Sequence, residues 1–383
     1  MKDFLSKYQA YIATVLTLIV VVLITAQNIL LSDFGYETVM KSFYNNYLIF
    51  KNSYFHLLDN ENLYVLYNDQ QVDLFKYSPT FALFFGLFSF FPDFFGLFLW
   101  NTLNGLVFYA LWQVKFTSNT NKLWVWAFVL IEFTTNIQSS QSNGLMAGLM
   151  ILGYVFLERK NVLLATLMIV LSVYIKVFGV VAFAIFLLYP HKWKAAAYSV
   201  MWTVVLFALP MLVVSPNALF VQYQNWFAML AVDKPVAFSL SVLGWLKYWF
   251  VYEPKSIYVL GIGVVLFLAP FIRFVRYKSV RYQHLIMSSI LMWVVLFNHK
   301  AESPTFIIAA AGVALWYFSQ PASLVNKTLI GLVLVFTQLS PTDLFPFFVR
   351  DEIFKPYVIK VVPIILVWLK VQYDIFELDS SDE

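Results

Sequence analysis

Cysteine is absent from the 383 residues, charged side chains make up only 12% of them, and histidine occurs four times. The first absence excludes disulfides, thiolate metal sites and a cysteine nucleophile, and it leaves the compartment open because cysteine-free exported proteins are common. The scarcity of charge excludes an ordinary soluble domain, in which roughly a quarter of the side chains are charged. The net charge of +4 is scattered over loops, so nucleic acid is not an expected partner.

What fills the chain instead is hydrocarbon: 61% of residues are hydrophobic, 20% are aromatic, and the mean hydropathy is +0.75. Apolar runs of about 14 to 22 residues recur from end to end, close to the roughly 20 that a helix needs to cross a bilayer core. Strands of a membrane barrel alternate polar and apolar residues, whereas "VLTLIVVVLI" and "LIGLVLVF" are apolar on all sides. The expected fold is therefore all-α, a polytopic membrane helix bundle. Apolar segments fall near 11–31, 79–91, 93–114, 123–137, 143–157, 161–175, 177–189, 195–214, 237–251, 256–272, 283–297, 304–318, 327–338 and 356–373. No A-x-A-like cleavage site follows the first of these, which reads as a retained span.

Basic loops set the orientation. Lys2 and Lys7, Arg159–Lys160, the His191/Lys192/Lys194 group and the Arg273, Arg276, Lys278, Arg281 cluster belong on the cytoplasmic side. This arrangement works with about 12 crossings if 237–251 and one short segment between 79 and 137 do not cross. The polar stretches 32–78, 136–143, 215–236, 297–304 and 339–355 then gather on the outer face, which implies a site at that boundary. Residues 1–373 form one membrane domain, with both termini cytoplasmic in a plasma or inner membrane. The acidic end 374–383 reads as a solvated tail.

Within the first outer loop, Met40, Phe43, Tyr44, Tyr47, Tyr54, Phe55 and Leu58 follow three-and-four spacing, while Asn45, Asn52 and His56 align on another face. The segment reads as an amphipathic helix lying among lipid headgroups, and anchoring alone would account for it. Farther on, Lys76 and Tyr77 stand just before a proline that opens the next helix, where a cation and a helix N-terminus together suit a phosphate.

The order of these pieces resembles the polyprenyl-phosphate-sugar-dependent membrane glycosyltransferases of family 87, mannosyltransferase-like proteins of GT-C architecture. The residues that carry the resemblance are "LLDNENLY" ending at Tyr64, "FKYSPTFALFF", the Trp–Asn pattern "LFLWNTLNGL", "SQSNGL" where the family has a G-Q-x-N-like turn, "VYIKVFG" where it has a lysine between apolar residues, and "FNHKAESPTF". The resemblance implies a lipid-phosphate sugar donor, an acceptor lipid, glycan or protein, no cofactor, and an outer-loop carboxylate that helps deprotonate the acceptor. Lys76, Tyr77, Gln141, Asn143, Lys176, His299 and Lys300 are the implied donor-side residues.

Counting back roughly 18 residues from Tyr64, where the family's acid belongs, reaches Asn46. A carboxamide can orient a hydroxyl but has no useful basicity. Three readings stay open: Asp33, Glu37 or Glu302 replaces the acid; Asn46 positions the acceptor while another group takes the proton; or the scaffold binds lipid-linked intermediates, or docks a partner, without catalysis.

Glu132 and Lys176 lie in otherwise apolar segments, where an unpaired charge costs about 2.5 to 3.5 kcal/mol. They either pair with each other, or Lys176 reaches the outer cavity and holds a phosphate. His299 beside Glu302 invites a metal, but His56 is the only other outer histidine, and phosphate or acceptor contact fits His299 and Lys300 better. In 215–236, Phe220, Tyr223, Trp226 and Phe227 fall at helical spacing and predict a second interfacial helix, a candidate wall for a polyprenyl chain.

Overall fold

The computed structural model describes residues 2–33, 43–116, 120–232 and 239–378. Within them the protein is all-helical: α1 (Lys2–Asp33), α2 (Asn45–Leu58), α3 (Pro79–Ser89), α4 (Asp93–Asn104), α5 (Leu106–Gln113), α6 (Lys122–Gln138), α7 (Asn143–Glu158), α8 (Val162–Ile175), α9 (Lys192–Ala208), α10 (Pro216–Val232), α11 (Val242–Phe250), α12 (Ser256–Leu268), α13 (Val280–Leu296), α14 (Phe306–Phe318), α15 (Leu324–Leu332), α16 (Phe347–Val349) and α17 (Val362–Glu377). Tighter 3-10 segments run over Val177–Leu187, Ala269–Arg276, Ser303–Thr305 and Ile359–Val361, and π-helical turns over Val333–Leu339. Four stretches, Tyr8–Ser32, Asp93–Gln113, Lys192–Leu212 and Ser256–Arg273, are long and apolar enough to cross a membrane, and seven shorter apolar helices accompany them. This is an integral membrane protein.

Two ends of the bundle are distinguished by what meets there. At one end, Arg159 of the α7 terminus donates to Gln113 of the α5 terminus, Lys122 donates to the carbonyl of Trp112, and Arg273 donates to the carbonyl of Phe376. The basic loops thus sit together. At the other end, Asn28 near the close of α1 donates to the Gln138 carbonyl at 3.1 Å, Gln222 of α10 donates to the Glu61 carbonyl at 2.6 Å, and the Leu240 amide donates to the Ala301 carbonyl at 3.0 Å. The polar loops converge there.

The segment at 79–91 packs against the first outer loop. α3 lies along α2, with Phe50 ring centroids 5.2 Å from Phe81 and 5.3 Å from Phe85, and Trp100 of α4 closes the group at 5.7 Å from Phe50. Edge-on aromatic pairs of this kind each contribute about 0.5–1.5 kcal/mol beyond their area burial. Lys51 of α2 pairs with Asp93 at 2.6 Å, which fixes α2 against the start of α4.

α2 is helical as expected over its described length, but its amide face is not turned to water. Asn45 and His56 are buried, Asn45 Oδ1 accepts from the Val72 amide at 3.1 Å, and His56 meets Gln70 at 3.0 Å while stacking on Tyr67. The loop 59–78 folds back over that face, so α2 is held between its own loop and α3. Met40 lies outside the described residues. A second correction concerns the acidic end: α17 continues to Glu377, and Asp374, buried within it, accepts from Trp316 Nε1 at 2.9 Å and pairs with Lys370. Residues 379–383 lie outside the described residues.

Candidate functional site

The turn 139–145 is the centre of the site, and its shape follows from how α6 ends. Ser140 takes φ 51, its amide donates to the Ile137 carbonyl, and the Gln141 amide donates to the Asn136 carbonyl, the paired bonds of a left-handed helix stop. Ser140 occupies the place where the resembled turn has glycine, so a side chain here sits in backbone space that favours glycine. Neighbours hold the turn from three directions. Asn46 Nδ2 donates to the Ser139 carbonyl at 2.8 Å, Trp100 Nε1 donates to the Ser140 carbonyl at 2.9 Å, and Asn104 Oδ1 accepts from the Leu145 amide at 3.1 Å and from Asn136 Nδ2 at 3.2 Å. A Cβ at Gly144 would stand 2.6 Å from the Asn104 carbonyl oxygen, so the approach of α7 to α4 requires glycine at this position. The Trp–Asn pattern and the "SQSNGL" stretch are therefore two halves of one lock.

That lock presents Gln141 and Asn143 to Lys176. The backbone of Lys176 is extended (φ −141, ψ 125), interrupting the helix between α8 and the 3-10 segment Val177–Leu187, and its half-buried ammonium donates to Asn143 Oδ1 at 2.8 Å and Gln141 Oε1 at 3.3 Å. The interruption needs room for close packing: a Cβ at Gly179 would meet Ser172 Oγ at 2.5 Å. Among the described residues no carboxylate forms an ion pair with Lys176, whose partners are two neutral amides and the faces of Tyr77 and Phe178, 5.6 and 5.8 Å from their ring centroids. The Tyr77 hydroxyl donates to Gln141 Oε1 at 3.3 Å and accepts from Ser142 Oγ at 3.4 Å. Burial pushes the Tyr77 phenol well above its ordinary range, the Ser142 hydrogen bond opposes that, and the charges of Glu302 and Asp73 add to it. The phenol thus stays a neutral donor.

Glu302 is exposed, and its charge acts on both Tyr77 and Lys176. Its side chain accepts from the backbone of Thr305 while the Thr305 hydroxyl accepts from the Glu302 amide at 3.3 Å, a capping box that opens the helix Ser303–Phe318. The cap fixes this carboxylate at the start of that helix, near enough for its charge to be felt by Tyr77 and Lys176.

The remaining candidates are dispersed. Lys76 pairs with Asp73 at 3.1 Å at the margin of the site, and its carbonyl accepts from Trp226 Nε1 at 3.2 Å. α10 thereby clamps the loop through buried Tyr223 and Trp226 while Phe220 and Phe227 face outward. His299 lines a separate cavity of about 150 Å³ with Ser241, Ser256, Phe297 and apolar residues of α11, α12 and α13. Lys300 is half-buried on the same turn, its amide donating to Asn298 Oδ1 at 3.0 Å. Asp33 ends α1, its side chain not among those described, and Glu37 lies outside the described residues. Glu132 does not pair with Lys176. Its partner is Lys360, at 2.8 and 3.0 Å, a lysine inside the apolar segment 356–373 whose charge was visible in the sequence yet left unassigned. Ser142, too, was missed. The signal for it was its place just before a helix start.

The Asn46 bond has a testable consequence. An aspartate there would aim a carboxylate at the Ser139 carbonyl and could donate only when protonated, so its acid form is the one that stabilises the fold. Asn46→Asp is expected to lower stability by about 1–3 kcal/mol at neutral pH, with recovery on acidification, and to confer no gain in transfer. Thermal unfolding in detergent across pH measures this; an unchanged midpoint at neutral pH refutes it.

Comparison with known proteins returns one family: the profile of glycosyltransferase family 87 matches residues 75–341, well over half the chain. No curated protein matches. Among solved structures, the chain is similar to the crystal structure of ArnT from Cupriavidus metallidurans in the apo state, at 14% identity over 86% of this chain and 71% of that one, with a TM-score of 0.40.

Proposed function

Because the chain belongs to glycosyltransferase family 87, we propose that it transfers a sugar from a polyprenyl-phosphate donor to an acceptor hydroxyl at the outer face of the membrane. The observation that carries the reading is the Lys176 ammonium, held by the neutral oxygens of Gln141 and Asn143 at the start of α7 and by no carboxylate ion pair among the described residues. A cation prepared in this way, next to a helix N-terminus and a neutral phenol, is a phosphate-binding arrangement. In the reaction, the acceptor oxygen forms a bond to the anomeric carbon as the bond from that carbon to the phosphate oxygen breaks. Polyprenyl phosphate leaves with the electron pair, its charge met by Lys176, and Glu302 takes the acceptor proton. Lys76, His299 and Lys300, which lie outside the Lys176 cluster, would meet the outer parts of the donor or acceptor.

About twelve crossings fit this placement: α1, α4 with α5, α6, α7, α8, the 3-10 segment after it, α9, α12, α13, α14, α15 with its π-helical continuation, and α17. α3 lies along α2, and α10 and α11 stay at the polar end. Both termini then fall on the basic, cytoplasmic side of a plasma or inner membrane. Mannose is the first sugar to test, because the family resemblance points to it, and lipid, glycan and protein acceptors share the one hydroxyl requirement.

The amide at Asn46 favours a second reading, a noncatalytic scaffold that binds the donor lipid. A transfer assay with radiolabelled polyprenyl-phosphate sugars in reconstituted membranes separates the two. Transfer from at least one donor is expected, and saturable donor binding without transfer from any donor supports the scaffold instead.

A further inference from the structure

Lys360 takes no part in the reaction described above, yet it occupies a costly position. Its ammonium donates to both oxygens of Glu132 on α6 at 2.8 and 3.0 Å and to Ser303 Oγ at 3.0 Å, and lies 4.9 Å from the ring centroid of Phe306. Both charged side chains are shut away, with 5% and 0% of their surface exposed. The turn that delivers Lys360 is itself strained. Val358, fully buried, takes φ 45, a conformation that costs a β-branched residue about 1–3 kcal/mol and persists only where the surroundings impose it. The Lys360 carbonyl is pinned as well, accepting from Thr337 Oγ1 at 2.8 Å in the π-helical stretch.

Net stability does not explain this arrangement. Apolar side chains of similar volume commonly replace a buried ion pair at no loss, because desolvation of two charges offsets their attraction. What the pair adds is the third bond, to Ser303. That residue directly follows Glu302 and begins the turn that Glu302 caps, so the position of Ser303 sets where the Glu302 carboxylate stands.

We propose that Lys360 is a positioning residue: anchored by Glu132, it ties down the Ser303 end of α14 and thereby holds the Glu302 carboxylate at the Lys176 cluster. The role assigned to Glu302 rests on the transfer reaction proposed above; the tether itself does not.

The test removes the tether without leaving an orphaned charge. The Glu132→Leu/Lys360→Met chain is expected to unfold at or above the wild-type temperature while kcat falls at least about tenfold and the donor KM stays within about twofold. Ser303→Ala, which keeps the ion pair, should reproduce the kcat loss, and Lys360→Arg, which can still reach both partners, should restore most of the rate. A second readout is independent of transfer. The chain has no cysteine, so spin labels at Asp69→Cys and Lys300→Cys report the distance across the site cleanly, and its distribution should broaden in both tether-less chains. A distribution as narrow as the wild type's overturns the proposal whatever the rate, and so does a wild-type kcat in the tether-less chains. If the wild type transfers no sugar from any donor, the function proposed above fails, and the distance measurement alone decides the positioning role. Ser303→Ala carries every readout if the double variant does not fold.

Discussion

Lys176→Met is expected to lower kcat/KM for sugar transfer by about a hundred- to a thousandfold, the usual scale for removing one preorganised group aimed at developing charge. Methionine keeps the length of the side chain and loses the charge. Among the described residues the ammonium has no ion-pair partner whose removal would complicate the result: its hydrogen bonds go to Gln141 and Asn143, two amides that can turn toward each other or toward water once the lysine is gone. Stability should therefore change little or rise, since a membrane-protein lysine held only by neutral groups is a desolvation burden. The loss should appear in donor binding and in kcat together, because a phosphate is bound as substrate and carries more charge as leaving group. Steady-state kinetics in liposomes, with thermal unfolding alongside, checks both parts. A variant that transfers at the wild-type rate refutes the donor-site assignment, while one that unfolds early refutes the account of Lys176 as a charge hydrogen-bonded only by neutral amides.

Much of this fold was legible in the sequence because a bilayer leaves so few options. Long apolar runs predict helices, and some limits, such as 143–158 for the expected 143–157, differ by a residue, whereas α1 begins nine residues before the expected 11–31 and α17 covers 362–377 for 356–373. Which helices pass between the two ends was not legible. Segment 79–91 is as apolar as its neighbours, and only the aromatic seam between Phe50, Phe81 and Phe85 lays it along α2, a contact between residues far apart in sequence. The same limit governs the site. The family resemblance brought Tyr77, Gln141, Asn143 and Lys176 into consideration, but it could not separate Lys76, which turns to Asp73, from Tyr77 beside it, which turns inward. Nor could it choose the partner of Glu132. Two lysines at membrane depth offered equal chemistry, and the choice of Lys360 depends on how α6 meets the turn before α17.

The second large effect concerns Glu302. Glu302→Gln is expected to lower kcat by about a hundred- to ten-thousandfold, the range associated with loss of a general base, while leaving the donor KM within about a factor of two. The substitution is informative because glutamine preserves the other task of this side chain. Its carbonyl oxygen still accepts from the Thr305 amide, so the capping box at Ser303–Thr305 survives and the helix Ser303–Phe318 begins where it did. Alanine removes both tasks and should cost about 1 kcal/mol of stability in addition. Comparing the two variants separates chemistry from architecture: equal losses of kcat with unequal unfolding temperatures identify the proton acceptor. If Glu302→Gln transfers at full rate, the proton goes elsewhere, and attention passes to Asp33 and Glu37 on the first outer loop. The position of Glu302 makes that outcome unexpected. It is exposed, and its charge bears on Tyr77 and Lys176, the two groups proposed to meet the departing phosphate.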